Sequence, residues 1–171
     1  MIFLVINVQK KLYDEFIKSF RSKMTILEFS IKLGAKPDDL FKLITDYEKL
    51  PTLLPDQLKS INILEKTENQ TITEETLVFS SLIKKTIIQK TKHQIVSENK
   101  LESEILSGPA KNSKISIELT DINQKTLITV LIDLKLDLKT KIFSPIIKKW
   151  YKSMLTGVFY KMNTIIINSK T

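Results

Sequence analysis

The stretch from Thr126 to Asn168, TLITVLIDLKLDLKTKIFSPIIKKWYKSMLTGVFYKMNTIIIN, joins two different hydrophobic periods. Its first part alternates and predicts a half-buried strand, whose apolar face is Ile128, Val130, Ile132, Leu134, Leu136 and Leu138. After Pro145 the apolar residues recur at steps of three and four, which predicts one long amphipathic helix with the stripe Ile147, Tyr151, Met154, Val158, Met162 and Ile165. Because both faces must be buried, the stretch predicts a long C-terminal helix packed on a sheet.

The residues before this stretch predict one strand followed by two short helices. The segment TILEFSIKL, residues 25–33, alternates like a half-buried strand. Gly34 then breaks the strand, and Pro37 suits the first turn of a helix that we expect to end near Asp46. Pro51 and Pro55 lie four residues apart, so they allow only one or two further helical turns.

The middle of the chain predicts an antiparallel meander. Turn residues occur at 68–70, 97–100, 107–114 and 123–125, and they mark off about five strands. The predicted fold is therefore α+β, with a curved antiparallel sheet wrapped around the C-terminal helix. A gap between such a sheet and its helix is a natural pocket for an apolar ligand.

The composition excludes several classes of site. The 171 residues include no Cys, one His and three Gly. Disulfides, thiolate zinc sites and two-histidine metal sites are therefore excluded, as are glycine-rich dinucleotide and phosphate loops. We expect neither a metal nor a cofactor. The sequence also lacks the run of about 18 apolar residues that a membrane span requires.

Four local features in a fixed order resemble the START-like (SRPBCC) helix-grip superfamily, which includes polyketide cyclases and a coenzyme Q-binding group. They are KPDDLFKLITDYEKLPTLLP with Asp46, Tyr47, Pro51 and Pro55, then SINILEK, then LSGP at Leu106–Pro109, and the long final helix. The resemblance covers about Met24 to Asn168. It implies a cavity between helix and sheet for a lipid, an isoprenoid quinone or a polycyclic ligand.

Residues 1–23 differ from this domain, which we expect to occupy residues 24–168. Leu12, Phe16 and Phe20 recur every four residues and indicate a short amphipathic helix. One interpretation is a peripheral N-terminal extension, and another is an interfacial helix that contacts a membrane.

The leading functional hypothesis is a non-enzymatic carrier or sensor of a hydrophobic small molecule. The expected cavity lining is Phe29, Phe79, Ile117, Ile132, Met154, Val158 and Met162. The alternative, a cyclase or dehydratase-like enzyme, requires an ionisable group inside the pocket. His93 lies in a mostly polar strand, so we expect it to be exposed or on an edge strand. We likewise expect the pairs Glu74–Glu75 and Glu102/Glu104 to be solvated, so no catalytic residue is assigned.

The net charge of +8 is concentrated at the two ends of the chain. Residues 1–23 carry five basic and two acidic groups, and residues 139–171 carry seven basic and no acidic groups. Peripheral contact with an anionic membrane is one expectation from this charge. A weaker expectation is that the protein binds nucleic acid, or docks on a ribosome or another protein through the basic C-terminal helix. We expect a cytoplasmic protein.

Overall fold

The strands and helices follow one another along the chain in the predicted order. The computed structural model describes residues 26–80, 84–136 and 141–169, so the extension 1–23 lies outside the described residues. In chain order the elements are β1 (Ile26–Leu33), α1 (Pro37–Ile44), α2 (Leu50–Leu53), β2 (Leu58–Lys66), β3 (Gln70–Ser80), β4 (Lys84–Ser97), β5 (Lys100–Ile105), β6 (Lys114–Asp121), β7 (Thr126–Asp133), a 3₁₀ turn (Lys141–Phe143) and α3 (Ser144–Asn168). The predicted helix-grip fold is confirmed.

The described strands form a single antiparallel sheet in the order β1-β7-β6-β5-β4-β3-β2. The strand predicted over residues 126–139 is shorter in the structure, where β7 ends at Asp133. Asp133 pairs with Ile26 on one side and Lys114 on the other, which are the first residues of β1 and β6. β7 therefore ends at the edge of the sheet where its two antiparallel neighbours begin. Leu134 stays fully buried, and Leu138 lies outside the described residues.

The meander contains one strand more than the sequence predicts. Residues 70–97 hold two strands, β3 and β4, which pair in register from Gln70 with Gln94 to Ser80 with Lys84. This run contains no Gly, Pro, Asn or Asp. These residues are the strongest signals of a turn, and the pair Ser80–Ser81 is a weaker one, so the division between β3 and β4 was not found from the pattern.

The long helix α3 lies against the concave face of the sheet. Its buried side chains include Tyr151, Val158, Phe159 and Met162, which largely follow the predicted stripe. The prediction for Ile165 is wrong, because this residue is 47% exposed while Ile166 is 7% exposed. Val158, Met162 and Ile166 continue one face at steps of four, and Ile165 lies about 100° away from it.

Hydrogen bonds fix the C-terminal half of α3. The side-chain oxygen of Asn163 accepts from Ala35 N at 2.9 Å, and Ala35 O accepts from the Thr126 hydroxyl at 2.7 Å. Lys161 Nζ donates to Leu53 O at 2.9 Å. These bonds attach this half of the helix to the start of α1, to β7 and to α2.

The concave face of the sheet is divided into an apolar and a polar half. Strands β1, β6 and β7 supply buried apolar side chains, namely Phe29, Ile31, Leu33, Ile117, Leu119, Ile128, Val130 and Ile132. Strands β3, β4 and β5 supply buried polar ones, namely Thr71, Thr73, Glu75, Gln89, Thr91, His93 and Ser103. Burying polar groups is costly unless they are hydrogen-bonded, so the polar half marks the part of the fold that packing alone does not explain.

Candidate functional site

A cavity of about 130 Å³, the inner cavity, lies between α3, the two short helices and the sheet. Its aliphatic wall includes Ile44, Leu50, Leu54, Leu58, Leu77, Leu101 and Leu155. Its polar wall consists of Glu75, Gln89, Thr91, His93 and Ser103, with Tyr47 and Tyr151 beside them. The cavity therefore combines a large apolar surface with a compact polar cluster.

The structure brings four of the seven expected lining residues together in the inner cavity. Ile117, Met154, Val158 and Met162 all line it. Phe79 lines a second cavity, described below. Phe29 and Ile132 are 7% and 0% exposed, and they pack in the core without lining either cavity.

The Glu75 carboxylate lies at the centre of the polar wall. The sequence-based expectation that it is solvated is wrong, because Glu75 is 9% exposed. One oxygen, Oε1, accepts from the Thr73 hydroxyl at 3.0 Å and lies 3.3 Å from His93 Nε2. The other, Oε2, accepts from Gln89 Nε2 at 2.8 Å and from the Thr91 hydroxyl at 3.0 Å. A carboxylate has about four acceptor sites, so protein donors occupy all of those on Glu75.

The expectation that His93 is exposed is wrong. It is 9% exposed, because β4 lies between β3 and β5 and the ring points to the concave side. Nε2 contacts the Thr73 hydroxyl oxygen at 3.1 Å as well as Glu75, and Nδ1 lies 2.8 Å from the Ser103 hydroxyl. Since an ionised carboxylate only accepts hydrogen bonds, we assign a proton to Nε2.

The environment of Glu75 favours its ionised form. Burial by itself raises the pKa of this carboxyl group. The hydrogen bond and charge of His93, with hydrogen bonds from Gln89 and Thr73, outweigh burial and hold the pKa below its usual range. In contrast, Glu102 is exposed and forms an ion pair with Lys100 at 3.1 Å on the other face of the sheet.

Two tyrosines, Tyr47 and Tyr151, complete the polar wall and are called the cavity tyrosines below. Tyr47 follows α1, and its ring stacks on the His93 imidazole with centroids 4.5 Å apart and planes at 30°. Tyr151 comes from the second turn of α3. For both residues burial, and then the charge of Glu75, raises the pKa of the phenol, so both stay neutral at physiological pH.

A second cavity of about 320 Å³, the outer cavity, lies beside the first. The two share Leu77, Gln89 and Tyr151 as lining residues. The rest of the outer cavity is mainly apolar and includes Phe79, Ile87, Pro109, Ala110, Leu136, Phe143, Ile146, Ile147 and Trp150. The Trp150 ring lies 5.4 Å from that of Phe79, and its buried Nε1 has no hydrogen-bond partner among the described residues.

The loop that carries Pro109 and Ala110 depends on Gly108. This residue has a φ of +94°, and a Cβ atom there would lie 3.1 Å from Ile88 O. Few side chains tolerate this conformation or such a contact with backbone. Gly108 therefore fixes the path of the β5–β6 loop at the edge of the outer cavity, which gives the LSGP segment a structural reason.

Exposed apolar and basic residues surround the start of α3 next to the outer cavity. Ile142 is 78% exposed and Phe143 is 49% exposed, and Phe143 also lines the outer cavity. Lys141 precedes this pair, Lys149 follows on α3, and Lys85 belongs to the cavity lining. The combination of protruding apolar side chains and lysines distinguishes this edge from an ordinary solvated surface.

The described residues contain no cluster of three or more His, Asp or Glu side chains that could hold a metal ion. Among the helices in this part of the chain, none is both long and apolar enough to cross a bilayer.

The polar wall was missed at the level of sequence, although a weak signal exists. Glu75 shares its strand parity with Leu77, and His93 shares its parity with Ile95. Side chains two residues apart face the same side of a strand, so an inward-facing hydrophobic neighbour could have indicated that Glu75 and His93 also face inward.

Comparison with known families and structures gives a consistent result. Residues 33–157 match a family described as polyketide cyclase / dehydrase and lipid transport. A protein from Thermus thermophilus is similar in structure with a TM-score of 0.72 and 11% identity, covering 85% of this chain and 99% of that chain. No curated protein sequence matches this chain.

Two further solved structures share the fold. A START superfamily protein from Mycobacterium smegmatis has a TM-score of 0.68 and 15% identity, over 84% of this chain and 97% of that chain. The other is a point mutant of norcoclaurine synthase from Thalictrum flavum in complex with a transition-state analogue. It has a TM-score of 0.67 and 15% identity, over 85% of this chain and 96% of that chain.

Proposed function

The chain belongs to the polyketide cyclase / dehydrase and lipid transport family, and on this basis we propose that it binds a hydrophobic small molecule as a carrier or sensor. The observation that carries the proposal is the inner cavity, which lies between α3 and the sheet and has a mostly aliphatic wall. Cavities of roughly 150 Å³ with such walls hold molecules about the size of benzene. Burial of the ligand's apolar groups supplies the affinity, at about 0.8 kcal/mol per CH₂.

A longer ligand would extend into the outer cavity. Leu77, Gln89 and Tyr151 line both cavities. In this proposal, a change in the conformation of the Tyr151 side chain joins the two cavities. The joined space would then hold a ligand whose polar end faces Glu75 and whose apolar part lies against Trp150. This arrangement suits an elongated or polycyclic ligand.

The ligand exchanges at an anionic membrane surface in this proposal. Support comes from Ile142 and Phe143, which protrude beside the outer cavity, and from the excess of basic groups in residues 139–171. Apolar side chains that enter the headgroup region and lysines that attract anionic lipids act together in peripheral binding.

The proposal is tested by native mass spectrometry of the purified protein, followed by organic extraction. A co-purifying hydrophobic molecule, or uptake of the neutral fluorescent probe N-phenyl-1-naphthylamine, is the expected result. Met154→Trp fills part of the inner cavity and should weaken probe uptake, whereas Tyr160→Trp on the exposed side of α3 should not. A protein that arrives empty and takes up no probe contradicts the proposal.

Acid–base catalysis is a second candidate because Glu75 and His93 provide an ionisable pair in the cavity wall. It ranks below binding, since four donors stabilise the Glu75 anion and make it a poor base. A ketone bound beside Glu75 would lose an α-proton from carbon to the carboxylate and regain a deuteron in D₂O. Deuteration of acetophenone faster than in buffer, and lost in Glu75→Gln, would support catalysis, and a rate equal to that in buffer would exclude this reaction.

A further inference from the structure

The cavity tyrosines are buried residues whose hydroxyl groups have no hydrogen-bond partner among the described residues. Tyr47 is 5% exposed and Tyr151 is 6% exposed, and both line the inner cavity. Neither hydroxyl forms a hydrogen bond with another described residue. Neither hydroxyl is among the fully buried side-chain atoms that lack a partner, so each keeps access to the space that the two tyrosines line. A molecule inside the cavity can therefore accept a hydrogen bond from each of them.

The other polar groups of the wall are already engaged as donors. The Thr73 and Thr91 hydroxyls and the Gln89 amide donate to the Glu75 carboxylate. In the imidazole of His93, Nε2 contacts Glu75 and Thr73, and Nδ1 contacts Ser103. The two tyrosine hydroxyls are therefore donors of this wall that remain available to a ligand.

Burial, and then the charge of Glu75, favours the protonated form of these donors. Burial and that charge keep both phenols protonated, so each retains an O–H bond that can be donated. The same charge disfavours an anionic ligand group in the cavity, because like charges repel strongly where water is excluded. A neutral oxygen acceptor fulfils both conditions.

We infer that the inner cavity recognises a neutral ligand that carries a carbonyl oxygen, which accepts hydrogen bonds from Tyr47 and Tyr151. This inference rests on the proposed binding function and specifies its ligand class. The aliphatic wall holds the carbon skeleton, and the tyrosines orient the oxygen toward the polar wall. Glu75 and His93 act as positioning residues, since the charge of Glu75 adds to burial in favouring neutral phenols and His93 stacks on the Tyr47 ring.

The test compares two probes of nearly equal shape, acetophenone and α-methylstyrene, which differ by C=O in place of C=CH₂. Both are titrated by NMR into the full-length protein and into Tyr47→Phe, Tyr151→Phe and the control Tyr160→Phe, whose side chain is exposed on α3. Loss of one hydrogen bond should weaken acetophenone binding about three- to ten-fold in each cavity variant. The affinity for α-methylstyrene should stay equal or rise, and Tyr160→Phe should change neither. Benzoate should not bind to the wild-type protein.

The outcomes separate this inference from the function on which it rests. If both probes bind and the cavity variants change the two affinities by the same factor, the carbonyl inference is overturned while the binding function stands. Tighter binding of benzoate than of acetophenone also overturns it. If neither probe binds to the wild-type protein and nothing co-purifies with it, the inference and the proposed function both fail.

Discussion

Replacing Glu75 with alanine should destabilise the fold by about 3–5 kcal/mol, the usual cost of removing one partner of a buried ion pair. The structure supports this magnitude because four donors lose their acceptor, from Thr73, Thr91, Gln89 and His93. Each unsatisfied buried donor costs about 1–3 kcal/mol. Water that enters the inner cavity can satisfy some of them, so the costs do not add in full.

The matched control is Glu74→Ala. Glu74 is the preceding residue of β3, faces the opposite side of the sheet and pairs in register with Lys90, so its loss should cost less than about 0.5 kcal/mol. Urea unfolding followed by far-UV circular dichroism, with linear extrapolation, measures both variants. For a domain of this size the melting temperature of Glu75→Ala should fall by roughly 6–20 °C. Equal stability of the two variants would refute the role assigned to the Glu75 cluster.

The pH dependence provides an independent measurement on the same cluster. The folded pKa of Glu75 lies below its ordinary value of 4.5, so its carboxylate stabilises the fold above pH 4.5. This contribution is lost as the pH falls through the folded pKa. The difference in unfolding free energy between wild type and Glu75→Ala should therefore become smaller below pH 4.5. The small difference between wild type and Glu74→Ala should not show this change with pH.

Three other predictions concern separate parts of the molecule. The folded pKa of both cavity tyrosines lies above the ordinary value of 10.0, so the unfolding free energy should fall above pH 10, by about 1.4 kcal/mol per pH unit for each tyrosine. The unfolding free energy of a variant with both tyrosines replaced by Phe should fall less steeply over the same pH range. Ile142→Ser should weaken co-sedimentation with phosphatidylcholine/phosphatidylserine vesicles by about ten-fold, whereas Ile88→Ser, also at an exposed site, should not; equal effects would contradict membrane contact at this edge. Gly108→Ala should lower the unfolding free energy by about 1–3 kcal/mol, whereas Gly157→Ala, whose added Cβ meets no atom within 4 Å, should raise it by up to about 1 kcal/mol; thermal melts of the two variants compare them directly.

The overall fold could be predicted because it depends on hydrophobic periods. The alternation from Ile128 to Ile132 and the helical stripe from Tyr151 to Met162 are strong local patterns, and each must be buried. The division between β3 and β4 was missed, because residues 70–97 carry no Gly, Pro, Asn or Asp and the pair Ser80–Ser81 is only a weak turn signal. Hydrophobic periodicity therefore predicts a strand or helix well where turn-forming residues mark its ends.

The polar wall left only a weak signal in the hydrophobic pattern, for a physical reason. A buried Glu75 and a solvated Glu75 look identical in a pattern that assumes polar residues face water. What makes its burial possible is a set of donors 14 to 18 residues away along the chain, from Gln89, Thr91 and His93, together with Thr73. Such compensation depends on strand register, which becomes known only when the sheet is assembled.

The position of Trp150 has a consequence for measurement. It is the one tryptophan among the 171 residues, and its indole lies in the wall of the outer cavity. Excitation at the red edge of the protein absorption band therefore selects a single chromophore that borders this cavity and makes no contact with the inner one. A small guest confined to the inner cavity should leave the emission wavelength nearly constant, whereas one that reaches the outer cavity should change it. The wild-type chain thus contains its own optical reporter of how far a guest extends.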